Sequence, residues 1–165
     1  MAHSRMLKLI GKEMNDIKIR QANLDDIAKL LEFEQGVIAA ERPFDKTLVD
    51  QKITYYDLAG LINVDDAELV VAEIDGKLIG SGYAKLKKAK SYVKHDYFSY
   101  LGFMYVDPAY RGKGINKLIL TALAQWSNDQ GVDEICLEVY AENQAAIRAY
   151  EKAGFAKSTV LMRLE

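Results

Sequence analysis

One cysteine, two histidines and two prolines occur among the 165 residues, and each scarcity closes off a class of protein. A lone thiol, Cys136, can form neither an intrachain disulfide nor a cysteine-based zinc site, and His3 and His95 are too few for most other metal sets. Long apolar runs are missing as well. The N-terminal fragment Met6–Ile10 is interrupted by Lys8, which suits neither a signal-peptide core nor a membrane span. Nor does one charge dominate: 22 Lys and Arg stand against 24 Asp and Glu, a net charge of −2. No whole-protein field therefore draws the chain to nucleic acid or an anionic membrane, and any attraction for an anion must be local. Repeats, low-complexity tracts and Pro/Gly/Ser linkers are absent too. These absences point to one domain over residues 16–165, in a reducing cytoplasm, behind a flexible extension at residues 1–15.

What is present is half apolar, enough for a core. Ile17 and Ile19 alternate with Lys18 and Arg20 as in a half-buried strand. Asn23 then suits the cap of a helix with Ile27, Leu30 and Leu31 on its apolar face. A second helical region is expected after Pro43, over 47–61. Apolar and β-branched runs flank Asp75-Gly76, the dipeptide suited to a type I′ hairpin turn. Residues 97–106 read as a strand stopped by Asp107-Pro108. Ile115, Leu118, Ile119, Ala122 and Trp126 follow helical spacing, and 134–140 alternates as a strand. A short helix over 143–153 ends at Gly154, and a last strand is expected to about Leu164. This order implies a mixed α/β sheet with helices packed on it, strands 97–106 and 134–140 being parallel through a right-handed crossover.

The stretch VDPAYRGKGINKLIL, 106–120, lies at the carboxyl end of the first of those strands, where open α/β sheets place ligands. A helix N-terminus offers unpaired N–H groups and a positive dipole end. Gly112 and Gly114 remove side chains that would hold an anion off the backbone. The glycines alone are equally compatible with a tight turn bearing solvated cations. Neither a third glycine at GxGxxG spacing nor a P-loop is present.

Arg111-Gly112-Lys113-Gly114-Ile115-Asn116 resembles the pyrophosphate signature of the GNAT superfamily of acyl-CoA-dependent N-acyltransferases, and LEVYAENQAAIRAYEKAGF, 137–155, resembles its second landmark. Asn116 departs from the small residue usual there. The resemblance implies a single-domain, mostly antiparallel sheet with a splayed parallel pair and helices on both faces. It implies acetyl-CoA as co-substrate, held by residues 111–116, with the pantetheine arm along the backbone of Met104, Tyr105 and Val106. It further implies that Asn143 meets the cofactor, besides suiting a helix N-cap, and that Tyr150 serves the leaving thiol. Asn143 and Tyr150 are seven residues apart and share a helix face with Ile147.

Acylating an amine requires a free nitrogen, a positioned thioester and help for the departing thiolate. Many relatives carry a carboxylate on the strand before the signature, whereas Tyr100–Tyr105 has none. Glu138, on an otherwise apolar strand in a block similar to ribosomal-protein alanine N-acetyltransferases, is the expected base, its pKa raised by a dry cleft; a half-solvated strand glutamate is the alternative. Glu34, Glu41, Asp45 and Asp57 are candidates to receive a cationic acceptor or are solvated faces. The basic run 85–94 reads as an exposed loop, and nucleic-acid binding is not expected. The expected activity is direct transfer of acetyl from acetyl-CoA to a primary amine of a small molecule or peptide, with no metal and no membrane, by a monomer or homodimer. The alternatives are a CoA-sensing module without turnover and a transferase using a longer acyl-CoA.

Overall fold

In a computed structural model, which describes residues 16–164, the first alternating stretch forms strand β1 (Lys18–Gln21). The extension expected at 1–15 lies outside the described residues. Asn23 starts the next element as its side chain suggests: Oδ1 accepts from the Asp25 N–H at 2.9 Å, and Asp26 accepts from the Asn23 N–H at 2.9 Å. The opening turn is a 3-10 turn, Leu24–Asp26, which runs into α1 (Ile27–Glu41). Its buried stripe is Leu30, Phe33, Glu34, Val37 and Ile38, at spacings of three and four residues. Leu31, expected on that face, is 43% exposed.

The helical region expected over 47–61 reduces to α2 (Leu58–Ile62). Side chains take the backbone groups of the segment before it. Arg42 donates to the carbonyls of Val49 and Gln51, at 2.8 and 3.1 Å, Gln35 donates to that of Ile53 at 2.9 Å, and Glu34 accepts from the N–H groups of Tyr55 and Tyr56. Polar groups satisfied in this way need no helix.

Strands β2 (Ala67–Ile74) and β3 (Lys77–Lys88) form the expected hairpin. Asp75 and Gly76 adopt φ of +48° and +75°, as a type I′ turn requires. The first residues of the basic run belong to β3 rather than to a loop: Lys85 pairs with Asp66, and Lys87 lies 4.1 Å over the Tyr100 ring. Then come β4 (Tyr97–Val106), a 3-10 turn at Pro108–Tyr110, α3 (Ile115–Asp129), β5 (Ile135–Leu137) and α4 (Gln144–Lys152). The sheet order is β1-β2-β3-β4-β5, antiparallel throughout except for the parallel pair β4–β5. Helices α1 and α2 cover one face over Leu69, Val71, Leu78 and Phe103. Helix α3 covers the other over Val70, Ile79 and Leu101.

Two strand expectations are corrected. Strand 134–140 shortens to Ile135–Leu137, and among the described residues no strand forms after Gly154. Val160, Leu161, Met162 and Leu164 are 75, 91, 89 and 99% exposed. Alternation and β-propensity do not hold a segment extended in a sheet unless a neighbouring strand receives its N–H and C=O groups.

One irregularity shapes the site. Between Tyr83↔Gly102 and Ser81↔Tyr105, β3 advances two residues while β4 advances three, and Phe103 adopts φ +54°. This β-bulge reverses the faces. Leu101 packs on the α3 side, Phe103 and Tyr105 turn to the α1 side, and Met104 and Val106 return to α3. Pairing with β5 ends at Leu101↔Leu137, so the parallel strands part where the bulge begins.

Candidate active site

Beyond Val106 the chain turns sharply. The Asp107 carboxylate accepts from the Ala109 N–H at 2.9 Å, and Arg111 Nε donates to the Val106 carbonyl at 3.0 Å. Gly112 and Gly114 then adopt φ of +75° and +79°, a region that costs other L-residues about 1–2 kcal/mol. A Cβ on Gly112 would meet no atom within 4 Å, so the ground before the turn is clear of protein. Gly114 caps α3 without a side-chain bond, and the Leu118 N–H is the first to reach back, to the Gly114 carbonyl at 3.2 Å. The helix is pinned from below by Ile115, 1% exposed. Lys113 lies 5.3 Å from the centre of the Tyr110 ring, and Asn116 is half-buried. A helix start without a side-chain cap, its dipole and the nearby charges of Arg111 and Lys113 make a local environment that suits a pyrophosphate.

Met104, Tyr105 and Val106 form the edge of β4 past the fork. The Tyr105 ring turns away and stacks on Phe33 with centroids 4.6 Å apart, leaving its backbone at that edge. Asn143 caps α4, its Oδ1 accepting from the Ala146 N–H at 3.2 Å. Tyr150 is half-buried against the α3-side core with its ring edge-on to Phe155 at 6.1 Å. Burial first, and the charge of Glu41 second, push its phenol up to about 12.

The acidic groups sort differently from expectation. Glu34 is fully buried, accepting from Tyr55 and Tyr56 at 2.7 and 2.9 Å through Oε1, while Oε2 has no partner. It braces the 55–56 segment and does not face an acceptor. Asp57 caps α2, accepting from the Gly60 N–H at 2.9 Å. Asp45 accepts from Thr47 and, at 3.1 Å, from the Tyr140 hydroxyl. The Thr47 bonds lead in holding it near about 2. Glu138 is exposed, one residue beyond β5, so the dry strand expected around it is not there. Its charge still contributes to raising the phenols of Tyr83 and Tyr100, after burial.

Glu41 is the carboxylate that sequence reading undervalued. It ends α1, half-buried, and burial raises its pKa. Asp45 adds to that rise, while a hydrogen bond from the Tyr55 phenol opposes it. A helix C-terminus is itself unfavourable to a carboxylate. The charge of Glu41 contributes to raising the phenols of Tyr55, Tyr56, Tyr100, Tyr140 and Tyr150, after burial, so it is the carboxylate shared by this group of tyrosines. The available signal was a glutamate closing an apolar helix shortly before a tyrosine pair.

The description "Acetyltransferase (GNAT) family" fits this chain over residues 27–155. The chain belongs to the GNAT acetyltransferase family. It is 27% identical over 151 residues to the uncharacterized N-acetyltransferase MJ1207 of Methanocaldococcus jannaschii, covering 87% of this chain and 62% of that protein. It is also 27% identical over 101 residues to the aminoglycoside N(6′)-acetyltransferase type 1 of Stenotrophomonas maltophilia, covering 59% and 65%. The match thus spans less than two thirds of either relative. In fold it is similar to a predicted acetyltransferase from Clostridium acetobutylicum solved with acetyl-CoA, with a TM-score of 0.70, 19% identity, and 90% and 96% of the two chains covered. Among the described residues no helix is long and apolar enough to cross a membrane. No group of three or more His, Cys, Asp or Glu able to hold a metal occurs among them.

Proposed function

We propose that this GNAT protein is an N-acetyltransferase that moves acetyl from acetyl-CoA to a primary amine carried by a cationic small molecule or peptide, in a reducing cytoplasm. The observation that carries this reading is the bare, positively polarised turn at 111–116, which follows the stretch of β4 that has parted from β5. Its backbone donors suit the pyrophosphate, with Arg111 and Lys113 adding charge and Asn116 a polar rim. The free edge of Met104–Val106 suits the amides of the pantetheine arm, and Asn143 stands at the opening of α4.

Two side chains handle protons. Glu41, whose ionised form is disfavoured by burial, accepts a proton from the incoming ammonium. The freed nitrogen attacks the thioester carbonyl, the C–S bond breaks with its electron pair on sulfur, and the second proton that the acylated nitrogen sheds passes through water to that sulfur, leaving the amide and the CoA thiol. Tyr150 donates a hydrogen bond to that sulfur. A phenol pushed up to about 12 against a thiol near ~8.5 makes full proton transfer uphill by roughly 5 kcal/mol, so donation without transfer is its role. Glu138 adds negative field at the mouth and is a less suitable base because it is exposed.

Freeing a lysine-like amine (pKa ~10.4) at neutral pH costs nearly 5 kcal/mol, against little over 1 for an α-amine near ~8. A single half-buried carboxylate suits the second kind of acceptor better. The acidic, tyrosine-lined cleft suits a cation, and the aminoglycoside-acetylating relative makes aminoglycosides the first acceptors to try. Free-thiol release from acetyl-CoA across aminoglycosides, polyamines and peptides tests the reading. Turnover with at least one amine is expected, whereas CoA binding with no turnover on any acceptor would replace the enzyme by a CoA sensor.

A further inference from the structure

The most deeply buried acid among the described residues, Glu34 at 0% exposed, has no part in the reaction proposed above. Its Oε1 accepts from the N–H groups of both Tyr55 and Tyr56, at 2.7 and 2.9 Å, while Oε2 has no partner among the described residues. A buried acid with one oxygen unpaired is costly to the fold. Water or a neutral side chain could hold the end of a loop at less cost, so the two bonds that Glu34 does make call for a further reason.

That reason lies two turns along α1. Glu41 stands seven residues from Glu34 and therefore on the same helix face. Charged and titratable groups meet Glu41 from each neighbouring element: Asp45 beyond the helix end, Tyr55 and Tyr56 from the irregular segment, Tyr100 from β4, Tyr140 after β5 and Tyr150 from α4. Of these, Tyr55 alone hydrogen-bonds the Glu41 carboxylate. The two residues that Glu34 holds send their rings to different work. Tyr56 packs on Phe103 at the bulge, with centroids 4.7 Å apart, and edge-on to Tyr83 at 5.7 Å. Tyr55 gives its phenol to Glu41. The backbone before them is taken by Gln35 and Arg42 at Val49, Gln51 and Ile53, so it is Glu34 that fixes 55 and 56 themselves.

We infer that Glu34 is a positioning residue for Glu41: by holding the Tyr55 and Tyr56 N–H groups it aims the Tyr55 phenol at the Glu41 carboxylate. The inference rests on Glu41 as the proton acceptor and deepens that reading by naming what sets the acceptor's affinity for its proton. A phenol O–H on a carboxylate favours the ionised form and offsets part of the rise that burial imposes. Without it, Glu41 keeps its proton to higher pH and less base is ready at neutral pH.

Carbon NMR titration of the Glu41 carboxyl in the free protein tests the coupling. Tyr55→Phe should raise the Glu41 midpoint by about half a pH unit or more. Glu34→Leu should raise it by a similar amount relative to Glu34→Gln, which removes the same charge, keeps an oxygen for both N–H groups and should titrate close to wild type. In the Tyr55→Phe background Glu34→Leu should add nothing, because the phenol through which Glu34 acts is gone. A midpoint unmoved by Tyr55→Phe, equal midpoints for Glu34→Leu and Glu34→Gln, or full additivity of the two changes would overturn the inference. A Glu34 that served stability alone would lower the Tm and leave the midpoint in place. If Glu34→Leu does not fold, each link is read in folded protein. Tyr55→Phe then reports the phenol, and amide exchange of wild type reports the clamp, with slow Tyr55 and Tyr56 N–H groups expected and free exchange at either one refuting it. The titration needs neither acetyl-CoA nor an amine, so the two readings fail separately. An acidic limb of kcat/KM that does not follow a shifted Glu41 midpoint would reject Glu41 as the base and leave its coupling to Glu34 standing.

Discussion

In the proposed enzyme the turn at 111–116 and the tyrosine-lined cleft around Glu41 belong to one site but are built in opposite ways. The turn is made of backbone: two glycines with positive φ, open space beside Gly112, and a helix that starts without a side-chain cap. The cleft is made of side chains from α1, the irregular segment before α2, β3, β4 and the stretch after β5, held together by burial and by phenols near carboxylates. Backbone presents the same donors to any phosphate, so the first suits a co-substrate shared by a whole family. Side chains differ at every position, so the second is where one acceptor can be told from another. Damage to the turn should therefore abolish binding outright, whereas damage to the cleft should change rate, pH dependence and acceptor choice.

The largest expected effect is on the backbone side. Gly114→Asp forces a side chain into a left-handed position and a negative charge into the anion seat, so CoA binding should weaken by about 1,000-fold or more. Calorimetry showing unchanged affinity in the folded variant would remove the turn from the site. Next comes Tyr150→Phe. Loss of one hydrogen bond to a developing thiolate should lower kcat by roughly 10- to 1,000-fold while acetyl-CoA affinity stays nearly constant, and equal losses of both would make Tyr150 structural.

Smaller losses are expected among the carboxylates. Glu41→Gln should lower kcat/KM at neutral pH by about 10- to 100-fold for a cationic amine. Its effect on stability has the opposite sign. Because burial raises the folded-state pKa of Glu41, the ionised form opposes folding, and the opposition is absent below the unfolded pKa and grows as pH rises through the folded one. The Gln variant should thus melt at the same temperature as wild type at pH 4 and at the same or a higher temperature at pH 7. A lower Tm at pH 7 would point to a structural carboxylate. The smallest effect is assigned to Glu138→Gln, a change of a few-fold in KM, since an exposed group is screened by solvent and salt.

The same contrast explains what could be read from the sequence. The hairpin turn at Asp75-Gly76, the caps at Asn23 and Asn143, and the glycines of the turn are local signals whose physics is complete within a few residues, and each lies where its chemistry put it. The one-residue bulge at Phe103 is not local. Gly102 is the one local hint in Tyr100–Tyr105 of a break in the strand, but the faces its neighbours take are decided by α1 on one side and α3 on the other. The segment 47–57 resembled a helix because its composition permits one, while Arg42, Gln35 and Glu34, distant in sequence, bind its backbone in another form. Glu138 looked dry because its neighbours are apolar, yet the strand stops at Leu137 and leaves it in solvent. In the sequence Glu41 is one acid among four, since its surroundings assemble only when distant tyrosines come together in the fold.

The claim that the cleft, centred on Glu41, supplies the base is tested most directly by kcat/KM against pH for wild type, Glu41→Gln and Glu138→Gln with one acceptor amine. Wild type should lose activity as pH falls through the raised pKa of Glu41. Glu138→Gln should keep that acidic limb. Glu41→Gln should lack it and recover part of its rate at high pH, where the amine deprotonates unaided. A Glu41→Gln profile parallel to wild type, with the limb lost instead in Glu138→Gln, would contradict the assignment.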